Sequence, residues 1–457
     1  MIHLYQQNDY NIVLDVNSGA VHVVDLLTYK ILGVYSPSLP PEENRQNIIA
    51  ALASCGTAYP LDEIEEALAE IESLRAQNLL YAPAADIEAL SRREPVVKAL
   101  CLHIAHDCNL RCRYCFAGTG EYHGARSLMS VDVGKKAIDF LIASSGRRRN
   151  LEVDFFGGEP TLNFDTVKAI VAYGRAEEKK HNKNIRFTLT TNGVLLDEEM
   201  QAYINENMHN VVLSLDGRRE TNDRMRPKAG GQGSYDGIVP RFQALAESRG
   251  QQNYYVRGTF TRENLDFSQD VLHLADLGFR QVSVEPVVAS PDEPYALQPA
   301  DLPVIFAQYE ALAAEMLARK RAGKAFNFFH FMIDLSGGPC AAKRLAGCGA
   351  GTEYLAVTPE GDLYPCHQFV GTKDFQMGTV FDGVTNPALR SSFAGCNVYT
   401  KPECGECWAK FYCSGGCAAN AYHTNGRIDL PYQLGCELQR KRTECAIMLK
   451  AAELAEL

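Results

Sequence analysis

The chain has no apolar run approaching the roughly 18 residues that a helical membrane span requires, which excludes a spanning helix and a membrane partner. Its opening, "MIHLYQQNDYNIVLD", carries no basic-then-apolar export signal, so the expected location is cytoplasmic. Positive charge is also scarce, with 45 Lys and Arg against 56 Asp and Glu. The deficit is concentrated: residues 1–90 set only Lys30, Arg45 and Arg75 against thirteen acidic side chains, a net of −10, and the remainder is nearly neutral. A nucleic-acid binder needs a basic face, and neither portion offers one. There is one tryptophan in 457 residues, and there is no low-complexity segment.

Cysteine is plentiful by contrast: fifteen residues, ten of them between Cys340 and Cys445. In a reducing compartment such clusters point to metal rather than disulfides; a disulfide-stapled tail is the alternative reading.

The chain divides into three expected parts. In residues 1–90, "NIVLDV" and "AVHVVDL" joined by "NSG" read as a β-hairpin. Two helical patterns follow, "PEENRQNIIAAL" and "LDEIEEALAEIESLRAQNLL"; the second has Asp62 and Glu65 in capping-box spacing and Ile64, Leu68, Ile71 and Leu74 on one face. A hairpin followed by such a helix pair reads as a winged-helix-like module, and its acidity argues against DNA. Residues 91–325 alternate six strand-like segments ("ALCLHIA", "LEVDFFG", "IRFTLTTNG", "NVVLSLDG", "YYVRGTFT", "QVSVEPVV") with amphipathic stretches, including 130–145, 165–180, 235–249 and 266–277. That pattern predicts an α/β fold with a parallel sheet, a partial (β/α)6 TIM-like barrel with polar signatures at the strand ends. Residues 326–457 are cysteine-rich, glycine-rich and short in regular pattern.

After the first barrel strand, "HIAHDCNLRCRYCFAGTG" sets Cys108, Cys112 and Cys115 at C-x3-C-x2-C. Three thiolates in a tight loop suit a [4Fe–4S] cluster whose fourth iron stays open to a ligand. Structural zinc would close with a fourth Cys or His, and His103 and His106 lie nearby.

These cysteines, with Tyr114 in "CNLRCRYC", "GGEP" at 157–160 and the six βα units, make the middle part resemble the radical S-adenosylmethionine (radical SAM) superfamily. The resemblance implies that the open iron chelates SAM and that reductive SAM cleavage yields a 5′-deoxyadenosyl radical, which takes hydrogen from an unactivated carbon. It also implies that Gly157, Gly158 and Glu159 meet the SAM ammonium and that Tyr114 packs near adenine. Asn192, Ser214 and Arg226 become candidates for the ribose and carboxylate, against a reading as ordinary strand-end polar residues.

The tail, with Cys404-x2-Cys407-x5-Cys413-x3-Cys417 and a later Cys436, resembles a SPASM extension carrying auxiliary [4Fe–4S] clusters. Carried over, Cys404, Cys407, Cys413 and Cys436 hold the outer cluster, and Cys348, Cys366 and Cys417 the inner one. Cys340 either completes the inner cluster or leaves it an open iron. Cys55 and Cys101 are read as small buried hydrophobes, Cys396 and Cys445 as near the clusters with a ligand role open, and His367 and His423 as structural.

Taken together, the opening "NIVLDVNSGAVHVVD", the cysteine loop and the tail resemble the maturases of the six-cysteine SCIFF peptides, thioether-forming enzymes of the sactipeptide and ranthipeptide kind. That resemblance implies three [4Fe–4S] clusters, SAM, a cysteine-rich precursor peptide whose leader docks on the module, and a low-potential donor such as flavodoxin or ferredoxin. The alternatives are a formylglycine-forming dehydrogenase of the sulfatase-maturase type and a non-enzymatic iron–sulfur sensor. The module itself has a bland reading as a structural or dimerising unit.

Overall fold

The computed structural model describes residues 1–54, 59–84, 96–335 and 341–455. The chain starts with an antiparallel sheet of β1 (Ile2–Gln7), β2 (Tyr10–Asp15) and β3 (Val21–Val24), in that order. The expected hairpin is β2–β3, and Asp15 holds its turn by accepting from the Ser18 amide and hydroxyl at 2.8 and 2.9 Å. β1 is an additional strand, joined to β2 through Asn8 and Asp9, both at positive φ (47° and 64°). Two such residues suit the tight turn that matches strand twist, so "NDY" was its sequence signal.

Three helices follow rather than two: α1 (Leu26–Val34), α2 (Pro41–Ser54) and α3 (Leu61–Ala76). They enclose a core of Val13, Ile31, Ile48, Ile64 and Ile71. The capping box does not form. Pro60 precedes α3 without a side-chain cap, and Asp62 and Glu63 sit inside the first turn, where their charge suits the helix dipole.

All six barrel strands form where the alternation places them: β4 (Ala99–Ala105), β5 (Asn150–Gly157), β6 (Asn184–Thr191), β7 (Asn210–Ser214), β8 (Tyr254–Phe260) and β9 (Gln281–Pro286). They are parallel and neighbour one another in chain order. Between them run α4 (Val131–Ser144), α5 (Phe164–Lys180), α6 (Glu198–Asn207), α7 (Arg219–Met225), α8 (Tyr235–Ser248) and α9 (Phe267–Asp276). After α10 (Leu302–Arg321), β10 (Asn327–Phe328) adds to β9. On the other side β11 (Tyr354–Val357) pairs with β4 in parallel, and β12 (Asp362–Tyr364), β13 (Gly378–Thr379) and β14 (Gly383–Val384) extend the sheet to eleven strands. The tail thus shares one mostly parallel sheet with the barrel.

The strands alternate because the two faces of the sheet meet different surroundings. Leu151, Val153 and Phe155 of β5, and Ile185, Phe187 and Leu189 of β6, are fully buried against the helices, with Phe155 and Phe187 stacked at 5.6 Å. Their neighbours Glu152, Asp154, Arg186, Thr188 and Thr190 face a cavity of about 730 Å³ inside the curved sheet.

The tail also holds more regular structure than its pattern suggests, since it ends in the 23-residue α11 (Gln433–Ala455). Buried residues at 445–449, 451 and 452 surround this helix rather than forming one stripe, because α10 covers it on one side and the N-terminal sheet on another. Among the described residues no helix is long and apolar enough to cross a membrane.

Candidate active site and cysteine centres

β4 delivers the cysteine loop to the C-terminal edge of the sheet, and "GGEP" grips its stem. Gly158 N donates to Ala105 O at 2.7 Å and Glu159 N to Asp107 O at 2.8 Å. A Cβ on Gly157 would lie 2.4 Å from Ala105 O, and one on Gly158 2.1 Å from Asp107 O, so any side chain there would push the loop away. Glu159 is buried, and its Oε1 accepts from the Thr161 and Thr191 hydroxyls at 2.6 and 2.8 Å. Its Oε2 accepts from Asn192 N at 2.8 Å and keeps room for a further donor. Burial pushes this carboxyl up, and those four hydrogen bonds, with the Thr161 amide included, oppose it.

The other side of the loop is stitched to the end of α7 and the residues just after it, with Arg113 N donating to Met225 O and Arg111 N to Pro227 O. Asn192 Nδ2 lies 2.7 Å from Asn109 Oδ1 and 3.7 Å from Cys108 Sγ. Tyr114 donates to both oxygens of Asp216 at 2.8 Å and accepts from Arg226 Nη1 at 2.8 Å. Ser214 closes β7 opposite Arg257, on the strand face shared with Val212 and Asn210 of the cavity wall.

Two buried donors beside the thiols, Asn109 Nδ2 and Arg226 Nε, have no acceptor among the described residues. Donors of that kind fit a ligand carboxylate. Asp216 and Asn109 were not singled out from sequence. Both stood inside quoted motifs, "SLDG" and "CNLRC", and a carboxylate directly after a barrel strand was the available signal.

Burial is the main cause raising the three thiols, Cys108 to about 11 and Cys112 to about 12; the guanidinium of Arg226 opposes it at each. Iron binding needs thiolates, so the pocket favours them only with metal present. Among the described residues no three Cys, His, Asp or Glu side chains converge on one point as a single ion requires. A four-iron cluster instead takes its thiolates at separate corners, and the donor set fits that group. His103 and His106 are bonded to each other at 3.0 Å and packed on Tyr122.

The tail cysteines gather in two places. Cys404, Cys407, Cys413 and Cys436 line one small hollow with Lys410 and Arg440, and Arg440 donates to Cys407. Cys348 and Cys417 stand together beside Cys366, each raising it electrostatically after burial, up to a value well beyond an ordinary thiol. Cys340 and Cys55 lie outside the described residues. Cys396 follows a short helix, next to Lys401. Cys445 sits in the core and accepts from Gln7 Nε2 at 3.2 Å. Cys101 is buried in β4 against Tyr354 and Asp154.

Known proteins share this architecture. The chain is 28% identical to the mycofactocin maturase MftC of Mycolicibacterium smegmatis over 344 residues, 73% of this chain and 81% of that protein. It is 24% identical to a cysteine-type anaerobic sulfatase-maturating enzyme of Clostridium novyi over 330 residues, 69% of this chain and 86% of that one. The crystal structure of Streptococcus suis SuiB bound to S-adenosylmethionine superposes with a TM-score of 0.54 at 15% identity, covering 95% of this chain and 98% of SuiB. Residues 102–266, from β4 to the threshold of α9, match the radical SAM superfamily.

Proposed function

We propose that this protein is a radical SAM maturase that joins a cysteine sulfur to a carbon of another residue in a ribosomally made, cysteine-rich precursor peptide. A [4Fe–4S] cluster on Cys108, Cys112 and Cys115, with SAM bound, supplies the radical that removes hydrogen from the acceptor carbon. Glu159 Oε2, Asn109 and Arg226 would hold the ammonium and carboxylate of SAM, and Tyr114 would pack by its adenine. Two auxiliary clusters, on the outer set and on Cys348, Cys366 and Cys417, would bring the total to three, fed by a flavodoxin- or ferredoxin-like donor.

The observation that carries the peptide reading is the free edge of β3. Among the described residues β3 pairs only with β2, and its outer side opens on a groove lined by Val21, Val23, Asp25, Glu70 and Leu74. An extended leader can add there as a fourth strand, with main-chain bonds giving affinity and side-chain pockets giving register. Mycofactocin maturase and SuiB support this, since SuiB has been seen bound to a precursor peptide, SuiA.

The test is anaerobic incubation with SAM, a reductant and a six-cysteine precursor peptide of the SCIFF type. A product short of two hydrogens, with one cysteine newly blocked to alkylation, is the expected result. Oxidation without a blocked cysteine would favour the sulfatase-maturase type of reaction, to which the Clostridium novyi relative points. Failure to form 5′-deoxyadenosine would leave only an iron–sulfur binding role.

A further inference from the structure

The cavity inside the sheet has no part in the chemistry described so far. Thr190, Val212, Arg257 and His367 line its upper end, and His367 directly follows Cys366. Glu152, Arg186, Gln252 and Asn253 frame its lower end, at the N-terminal ends of the strands, where Glu152 and Arg186 are exposed. Its volume of about 730 Å³ and its polar walls suit a column of water rather than a packed core. Midway, three protic side chains face one another: Cys101 from β4, Asp154 from β5 and Tyr354 from β11, with the Tyr354 hydroxyl 3.3 Å from His367 Nδ1.

Thioether formation, on the reading above, breaks a C–H and an S–H bond and makes one C–S bond. The carbon's hydrogen leaves as an atom to the adenosyl group of SAM, whose carbon–sulfur bond is cleaved with one electron from the donor. One electron returns to an iron–sulfur centre. The thiol proton remains, and it needs an acceptor within reach of the site. We propose that Asp154 takes the substrate thiol's proton through this cavity and releases it past Glu152 through the lower mouth of the barrel, on the side away from the cysteine loop.

The surroundings of Asp154 suit that task. Burial and the neighbouring charge of Glu152 push its carboxyl up to about 6, while a hydrogen bond from Thr188 opposes them. An acceptor poised near neutrality can both take and release a proton. Arg186 from β6 and Arg257 from β8 line the same cavity, and Arg257 is bound to Glu285 at 2.8 Å.

The proposal rests on the thioether reading, and two measurements separate it from that reading. In the cluster-loaded protein without substrate, infrared titration of wild type minus Asp154→Asn should show a carboxyl titrating near pH 6. A carboxyl titrating below pH 4 would overturn the proposal, whatever the substrate. With a six-cysteine precursor peptide of the SCIFF type, the ratio of crosslink to 5′-deoxyadenosine should rise through pH 6 in wild type and should fall at least tenfold, without that rise, in Asp154→Asn. Asp154→Glu should recover part of the ratio. An unchanged ratio and pH profile in Asp154→Asn would overturn the proposal while leaving the thioether reading standing. Wild type that cleaves SAM but makes no crosslink would defeat the reading itself, and the crosslinking role of Asp154 with it.

Discussion

The imidazole of His3 lies flat on the indole of Trp408, with ring centres 3.7 Å apart and planes within 5°. Trp408 directly follows Cys407 of the outer cysteine set, so the first strand of the chain rests on that set's loop. Neighbouring contacts reinforce the seam: His3 Nε2 meets Glu444 Oε1 at 3.0 Å, and Tyr5 donates to Glu444 O at 2.9 Å. The N-terminal sheet is therefore a fixed part of the body, docked along α11.

Because Trp408 is the only tryptophan in the chain, its emission reports this seam directly. His3→Ala should change the intensity and wavelength of that emission and cost about 0.5–1.5 kcal/mol, the usual worth of an aromatic pair. Emission identical to wild type would mean the stack does not persist in solution.

The same seam dictates how leader binding should be probed. Deleting residues 1–84 would bare Cys445 and Met448 of α11, on which Gln7 and Asn8 rest, so lost activity could come from lost stability. Val23 avoids this, since it is 46% exposed on the free strand and lines the groove. Val23→Glu should weaken leader binding at least tenfold in fluorescence anisotropy while leaving the melting temperature unchanged. With Asp25 and Glu70 beside that groove, the leader should be net basic and its affinity should fall with salt, because screening at about 0.15 M shortens the reach of charge to roughly 8 Å. Flat affinity across the salt series would make the acidic surface mere solvation.

The barrel was legible in the sequence because its sheet faces a greasy layer on one side and a polar cavity on the other. Strands such as "LEVDFF" therefore alternate cleanly, and their polar ends announced the cysteine loop, Glu159 and Asn192. α11 was not legible because it is covered from more than one side and shows no stripe. Asp216 escaped for another reason: its role depends on Tyr114 and Arg226, which lie 102 residues before it and ten after it, and no local pattern records that meeting.

Gly158 offers a sharp test of how the loop is held. A methyl group there would lie 2.1 Å from the carbonyl oxygen of Asp107, a backbone atom just before Cys108. Gly158→Ala should therefore displace the loop and cost about four of roughly twelve irons in the loaded protein, together with SAM cleavage. On the three-cluster proposal the tail cysteines should keep the remaining eight or so irons, which iron analysis and paramagnetic resonance can check. Full iron content with normal SAM cleavage would show that the loop tolerates the shift.

Cysteine substitutions in the two regions should have different structural reach. Cys108, Cys112 and Cys115 sit on a loop already held by backbone bonds to "GGEP" and to the end of α7 and the residues just after it, so replacing all three with Ala should remove about four irons and leave the fold intact. Cys436 differs, because it lies near the start of α11, while Cys407 leads into Trp408. An iron cluster shared by these two cysteines would clamp the helix to the loop on which His3 rests, and binding of metal to the folded state alone is stabilising. Cys436→Ala should therefore lower the melting temperature, change Trp408 emission in the direction seen for His3→Ala, and speed proteolytic release of the N-terminal module. The triple loop variant should do none of these. Equal melting temperatures and equal proteolysis for both variants would show that the outer cysteines carry no such clamp.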